Sequence, residues 1–307
     1  MEFDLDILIK IIKLGRFQFV IGGFLFFCVG ALLAILLGAN FILSKFIFGY
    51  IILFMAHLAV SYSNDYFDVD IDSYNKPTKV SGGSGILIEN PELKNFSKWF
   101  AVILICLSLA LALIFTVIFS YTIWFFLFVV VENFLVWFYS APPLKLAYRG
   151  FSEISTTMAG FLIPGMGYFT LMGTLDLPFI IFAIPMMFYQ LLFINSVEIP
   201  DMEGDKMGGK KTLIVKRGRE FGFKIIAVSG LLATLLFVII NFTNIYPPIV
   251  DFKVITLFSL IPLAFAIFGF FKRPTDKLYA TKLVTYNISS LFVSSVLINT
   301  YFLYILK

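Results

Sequence analysis

Two short acidic segments carry the residue types and spacings best suited to chemistry. In NDYFDVDID, Asn64, Asp68 and Asp72 recur at i, i+4 and i+8 with Asp65 beside them; in EIPDMEGD, Glu198, Asp201 and Asp205 recur at i, i+3 and i+7. Each set falls on one face of a helix. Together with Asp70 and Glu203, the two segments hold 8 of the chain's 19 acidic residues. Two carboxylates one helical turn apart, ~6 Å, repel by about 3 kcal/mol at an effective dielectric near 20, so several such pairs call for a cation between them. Oxygen donors without His or Cys suit Mg²⁺ or Ca²⁺, and Mg²⁺ commonly bridges carboxylates to substrate phosphates. The competing reading is a solvated acidic face at each helix end. The metal reading is preferred because the pattern occurs twice and both times opposes the preference of a helix C-terminus for cations.

Basic residues supply the other half of a phosphate site. Arg16 opens the first apolar run, Lys79 follows the first acidic segment, YSAPPLKLAYRG carries Lys145 and Arg149, and Lys210 and Lys211 follow the second. Arg and Lys would hold the oxygens of a diphosphate while Mg²⁺ links them to the carboxylates. Lys94, Lys98 and the 272–282 group are read instead as ordinary positive-inside charge.

These groups must be positioned by helices in a bilayer. Of the 307 residues 60% are apolar and 14% charged, with a mean hydropathy of +0.96 and 39 Phe, too little polar surface for a soluble globular fold. A formal charge of +4 is too small to argue for nucleic acid, and no obligate protein partner is evident. Apolar runs near 17–38, 44–63, 99–119, 121–141, 153–175, 178–199, 225–242, 254–271 and 284–306 predict an all-α, polytopic bundle of nine transmembrane helices, read as a single domain over 1–307. Alternating the connections puts 20 of the 23 Lys and Arg on one face, which the positive-inside rule makes cytoplasmic; both acidic segments lie there, in loops 64–98 and 200–224. Residues 3–14 read either as an interfacial helix or as a disordered leader, and Cys28 and Cys106 as small hydrophobes inside spans.

Polar residues within the spans should face the bundle interior. Glu132 precedes Tyr139 by two helical turns, and His57 bears the same relation to Asn64, so each pair shares a stripe. Either Glu132 or His57 could line a substrate pocket or take a proton as a general base; the alternative is a helix-to-helix hydrogen bond. Gln190 faces the same way as Glu198 and is a weaker cavity candidate. Pro200, before Asp201, should break its helix and aim the second cluster inward. Gly82, Gly83 and Gly85 could let the connection fold over the site as a lid, or serve as a plain linker.

NDYFDVDID, YSAPPLK and DMEGDKMGGKKTL, set among nine spans, resemble the UbiA-type intramembrane prenyltransferase superfamily over the whole chain. The family pattern falls on Asn64, Asp65, Asp68 and Asp72, on Asp201 and Asp205, and on Tyr139, Ser140, Pro142 and Lys145. The resemblance implies Mg²⁺, two ions, held by Asn64, Asp68, Asp72, Asp201 and Asp205, a prenyl diphosphate bound by them, and a central lipid-accessible cavity for its tail. It places Asp68, Asp72, Asp201, Asp205, Tyr139 and Lys145 in catalysis, with Tyr139 either offering a ring face to an allylic cation or serving as an interfacial belt residue. Lys76, Pro77, Lys79 and SGGSG at 81–85 depart from the Arg-Pro and Ser-Gly of many members and look more like the menaquinone-pathway branch. The expected activity is therefore prenyl transfer to an aromatic or quinone-precursor acceptor, as in quinone biosynthesis. The alternatives are prenylation of geranylgeranylglyceryl phosphate in ether-lipid synthesis and, from a different class, cation transport.

Overall fold

A computed structural model of the chain describes residues 5–75, 77–78 and 81–307, and the expectations for Lys76, Lys79 and Phe3 lie outside the described residues. The helices are α1 (Leu5–Leu14), α2 (Phe17–Leu36), α3 (Leu43–Asp72), α4 (Ile86–Glu89), α5 (Lys94–Ile118), α6 (Ile123–Phe138) and α7 (Leu146–Arg149). They continue as α8 (Ser152–Met172), α9 (Leu177–Met207), α10 (Leu213–Arg217), α11 (Arg219–Asn241), α12 (Phe252–Lys272) and α13 (Lys277–Ile305). Each of the nine apolar runs forms a helix, but the expected nine membrane crossings are not reproduced one for one. Among the described residues, seven helices are long and apolar enough to cross a membrane. The other two differ for separate reasons: α6 has only 16 residues, and α8 mixes Ser, Thr, Gly and Pro into its apolar run.

The composition of α8 follows from its place. It packs against α2, α3, α6 and α9 at once, which buries most of its length and removes the need for a lipid-compatible surface. Its glycines permit close approach: a Cβ on Gly167 would land on the Phe27 carbonyl, and one on Gly30 of α2 on the Pro164 carbonyl. Helices so close gain packing and polar contacts that lipid would not offer. On one side α3, α5 and α6 join α2 and α8 around a cluster that includes Phe27, Phe115, Phe125 and Phe169. On the other, α11, α12 and α13 pack with α9 around Phe182, Tyr189, Phe223 and Phe237.

Two helices run past their apolar stretches and carry the acidic segments. The apolar run of α3 stops at residue 63, yet the helix continues unbroken to Asp72; α9 continues past residue 199 to Met207. The break expected at Pro200 is absent. Pro200 leaves the Ser196 carbonyl without its intrahelical donor, yet the helix runs on, and the adjacent Ile199 carbonyl accepts from Arg219 Nε at 3.1 Å, a tertiary contact to this segment. α1 forms as a helix, with only Leu14 buried, and is tied to α3 by Tyr62 donating to the Ile11 carbonyl at 2.9 Å.

Candidate active site

The ends of α3 and α9 meet over one polar pocket of about 100 Å³, lined by Asn64, Asp65, Asp68 and Asp72 from α3 and by Glu198, Asp201 and Asp205 from α9. Arg16, Tyr139 and Lys210 also line it. Asp68 is buried and fully engaged: Oδ1 accepts from the Tyr148 hydroxyl at 2.7 Å, and Oδ2 accepts from Ser140 at 3.1 Å and from Lys210 Nζ at 3.0 Å. Lys210 Nζ also stands 3.3 Å from Asp205 Oδ1, so one ammonium joins the two helix ends. Burial alone would lower the pKa of Lys210, but the Asp68 and Asp205 carboxylates outweigh it and hold the group well above the ordinary lysine value. Burial, then the Asp68 charge, pushes the Tyr148 phenol up, keeping it a hydrogen-bond donor.

The glycine-rich segment 81–85 lies across the same two ends. Gly82 N–H donates to Asp201 Oδ2 at 2.9 Å, while Ser84 donates to Asp65 Oδ2 through its N–H at 3.3 Å and through its hydroxyl. Gly83, at φ +66, passes so near Asp72 that a Cβ there would strike the carboxylate. These contacts explain why glycine is required: a side chain would displace the acid or strain the backbone.

The pocket adjoins a larger, mainly apolar chamber of about 290 Å³, and Arg16, Asn64, Tyr139, Ile194 and Val197 line both. Phe19, Phe26, Leu53, Leu162 and Phe193 are among the apolar walls. His57, Glu132 and Gln190 face this chamber too, as their spacing from Asn64, Tyr139 and Glu198 led us to expect. The His57 ring fits against α2 only because Gly23 has no side chain there. Glu132 is buried, and its Oε2 has no hydrogen-bond partner among the described residues. The expected helix-to-helix bond from that oxygen is not made.

The basic residues sort differently from the expectation. Arg16, in the left-handed region at φ 46 between α1 and α2, reaches both cavities. Lys145 and Arg149 line neither: Lys145 Nζ sits 4.9 Å over the Tyr148 ring, and Arg149 donates to the Pro143 carbonyl at 2.8 Å. Lys210 takes the central position. By sequence alone Lys210 and Lys211 are equivalent, and in YSAPPLKLAYRG the cations stand out while Tyr148 does not. The overlooked signal is the Gly208-Gly209 pair, which turns the chain back after α9, with Gly209 at φ +79 and Lys210 N–H donating to the Asp205 carbonyl at 2.9 Å.

The pocket's donor chemistry fits a hard divalent cation. Six lining carboxylates face two lining cations, and Asn64 Oδ1 and Asp65 Oδ1 are buried without partners among the described residues. No three His, Cys, Asp or Glu of the described residues converge as a ready ligand group. The reason is visible in the bonding: Asp68 and Asp205 turn to Lys210, Asp65 to Ser84 and Asp201 to Gly82.

A predominantly apolar helical bundle with a polar pocket beside an apolar chamber is the architecture of a membrane-embedded protein with an internal ligand cavity. The sequence matches the UbiA prenyltransferase family over residues 24–296, and the chain belongs to that family. It is thus an integral membrane protein in a family of transferases. Among curated proteins it is 27% identical over 203 residues to digeranylgeranylglyceryl phosphate synthase from Sulfolobus acidocaldarius, a match spanning 65% of this chain and 65% of that relative. Its fold resembles a UbiA homologue from Archaeoglobus fulgidus bound to DMAPP and Mg²⁺, with a TM-score of 0.63, 19% identity, and 93% of this chain and 99% of that one covered. It also resembles a structure concerned with digeranylgeranylglyceryl phosphate synthase in membranes, with a TM-score of 0.64, 18% identity, and 98% and 100% covered.

Proposed function

We propose that the protein transfers a prenyl group from its diphosphate to the hydroxyl of a glyceryl phosphate lipid, with divalent ions, Mg²⁺ foremost and two in number, securing the diphosphate. The observation that carries this reading is that the acid-lined pocket adjoins the apolar chamber and shares five lining residues with it, an arrangement that suits a diphosphate head and an isoprenoid tail. The acceptor follows the name of the curated relative, which favours the ether-lipid alternative over the quinone precursor suggested by the 81–85 loop. Family membership also favours transfer over cation transport. The chain acts as one membrane domain, with its cation-rich site loops on the cytoplasmic side.

Asn64, Asp68 and Asp72 on α3 and Asp201 and Asp205 on α9 would hold the metal, whose chemistry is Lewis-acid stabilisation of the charge developing on the leaving oxygens. Arg16 and Lys210 would bind the diphosphate oxygens by charge-assisted hydrogen bonds. The bond from the allylic carbon to the diphosphate breaks as the acceptor oxygen bonds that carbon, and the hydroxyl proton passes to a base. Glu132 and His57, facing the chamber, are the candidates for that base. Tyr139, shared by pocket and chamber, stands where its ring can face the allylic cation, and the apolar walls exclude water that would quench it.

The test incubates the purified protein in nanodiscs with geranylgeranyl diphosphate, Mg²⁺ and three acceptors in separate reactions: geranylgeranylglyceryl phosphate, dihydroxynaphthoate and hydroxybenzoate. Mass spectrometry should find the digeranylgeranyl lipid. Prenylation of an aromatic acceptor alone would restore the quinone reading.

A further inference from the structure

The two acidic helix ends are already joined by a cation that belongs to the protein. Lys210 Nζ lies 3.0 Å from Asp68 Oδ2 and 3.3 Å from Asp205 Oδ1, with 13% of its side chain exposed. Asp68 is further committed through Ser140 and Tyr148. A divalent ion sharing those carboxylate oxygens would meet the ammonium at contact distance, where like charges repel strongly in a partly dry pocket. The ammonium can leave only for another concentration of negative charge, and its four-carbon stem gives it reach.

We infer that Lys210 is a displaceable internal counter-ion: it closes the site to bare divalent cations and moves to the oxygens of an incoming diphosphate, so that metal loads with the diphosphate rather than before it. This rests on the prenyl diphosphate reading above. Charge-assisted hydrogen bonds to diphosphate oxygens replace those to Asp68 and Asp205, and the two carboxylates are freed as ligands at the moment the substrate arrives. The device also explains why the carboxylates do not form a ready ligand group: the protein's own ammonium already occupies their shared side. By linkage, metal and diphosphate must each raise the affinity of the other by the same factor.

The experiment is an EPR titration of Mn²⁺ into the full chain in nanodiscs, with and without a non-reactive prenyl thiolodiphosphate. In the unaltered protein the analogue should tighten Mn²⁺ binding about tenfold or more, within the usual range of coupling between sites. Lys210→Met keeps the stem and removes the charge; it should bind Mn²⁺ about tenfold more tightly without the analogue and lose most of the enhancement. Lys210→Arg, which keeps the charge, should retain the coupling, and Lys210→Gln replaces the Met variant if that one does not fold. If neutral variants bind Mn²⁺ no better than the unaltered protein in the absence of the analogue, the counter-ion role is overturned while the diphosphate reading stands. If the unaltered protein binds neither Mn²⁺ nor the analogue, the diphosphate reading falls and takes this role with it.

Discussion

Tyr148 and Asp68, 80 residues apart in sequence, are joined by a 2.7 Å hydrogen bond from the phenol to Oδ1. The bond fixes the short α7 segment over the end of α3 and leaves Oδ2 to Ser140 and Lys210, so the orientation of Asp68 depends on three other segments of the chain. Tyr148→Phe deletes the donor and nothing else. A hydrogen bond to a charged group contributes about 1.5–3 kcal/mol, so the melting temperature in nanodiscs should fall, and turnover about tenfold with it, because a group supporting a ligand has been lost. Unchanged melting and turnover would show that Asp68 is held without Tyr148.

Asp201→Asn separates charge from architecture. The amide oxygen can still accept from Gly82 N–H, so the 81–85 segment keeps its seat, but one negative charge leaves the pocket. Turnover should drop by about 10²-fold or more, with the melting temperature in EDTA little changed. Full activity with Mg²⁺ present would remove Asp201 from the site.

Glu132→Gln tests the proton acceptor. Since Glu132 faces the chamber outside the polar pocket, binding of a prenyl diphosphate should be preserved while transfer slows by about 10²-fold or more, the range for loss of a general base. His57→Gln serves as the parallel arm. If neither variant slows transfer, the acceptor's proton leaves by another route.

How much of this was legible beforehand differs from element to element. The acidic pairs declared themselves through i, i+4 spacing, which is a property of any helix. Where the helices ended did not: α3 and α9 keep their backbone hydrogen bonds for a further two turns after hydrophobicity stops, since tertiary contacts, not lipid, support those turns. The choice of Lys210 over Lys145 was equally hidden. It depends on the turn after α9 and on α7 pointing Tyr148 rather than Lys145 at Asp68, long-range facts that composition does not encode. Glu132 and His57 were found because a polar residue inside an apolar run is costly and must face something.

On the prenyl diphosphate reading, the depth of the chamber would set which tails fit. Leu25 lies nine residues along α2 from Arg16, about 14 Å at the helical rise, and lines the chamber. Leu25→Trp should fill that level, leaving dimethylallyl or geranyl diphosphate as donors while lowering kcat/KM for geranylgeranyl diphosphate about tenfold through a higher KM. Equal loss for every donor length would mean the tail does not run along α2.

The close crossing of α2 and α8 has no room for a side chain. Gly30→Ala would drive a Cβ onto the Pro164 carbonyl, a backbone atom that cannot rotate away, and should destabilise the bundle by about 1–3 kcal/mol, read as a lower melting temperature. Restored stability on cutting back a neighbouring side chain would contradict this, because the obstacle is backbone.

The most direct measurement follows geranylgeranyl diphosphate and geranylgeranylglyceryl phosphate in nanodiscs by mass spectrometry, with Mg²⁺ and with EDTA, for the unaltered chain and for Asp201→Asn. The expected result is a digeranylgeranyl product that appears with Mg²⁺, disappears with EDTA and is nearly lost in the variant. Product formed equally in EDTA, or undiminished in Asp201→Asn, would contradict a metal-held diphosphate between the ends of α3 and α9.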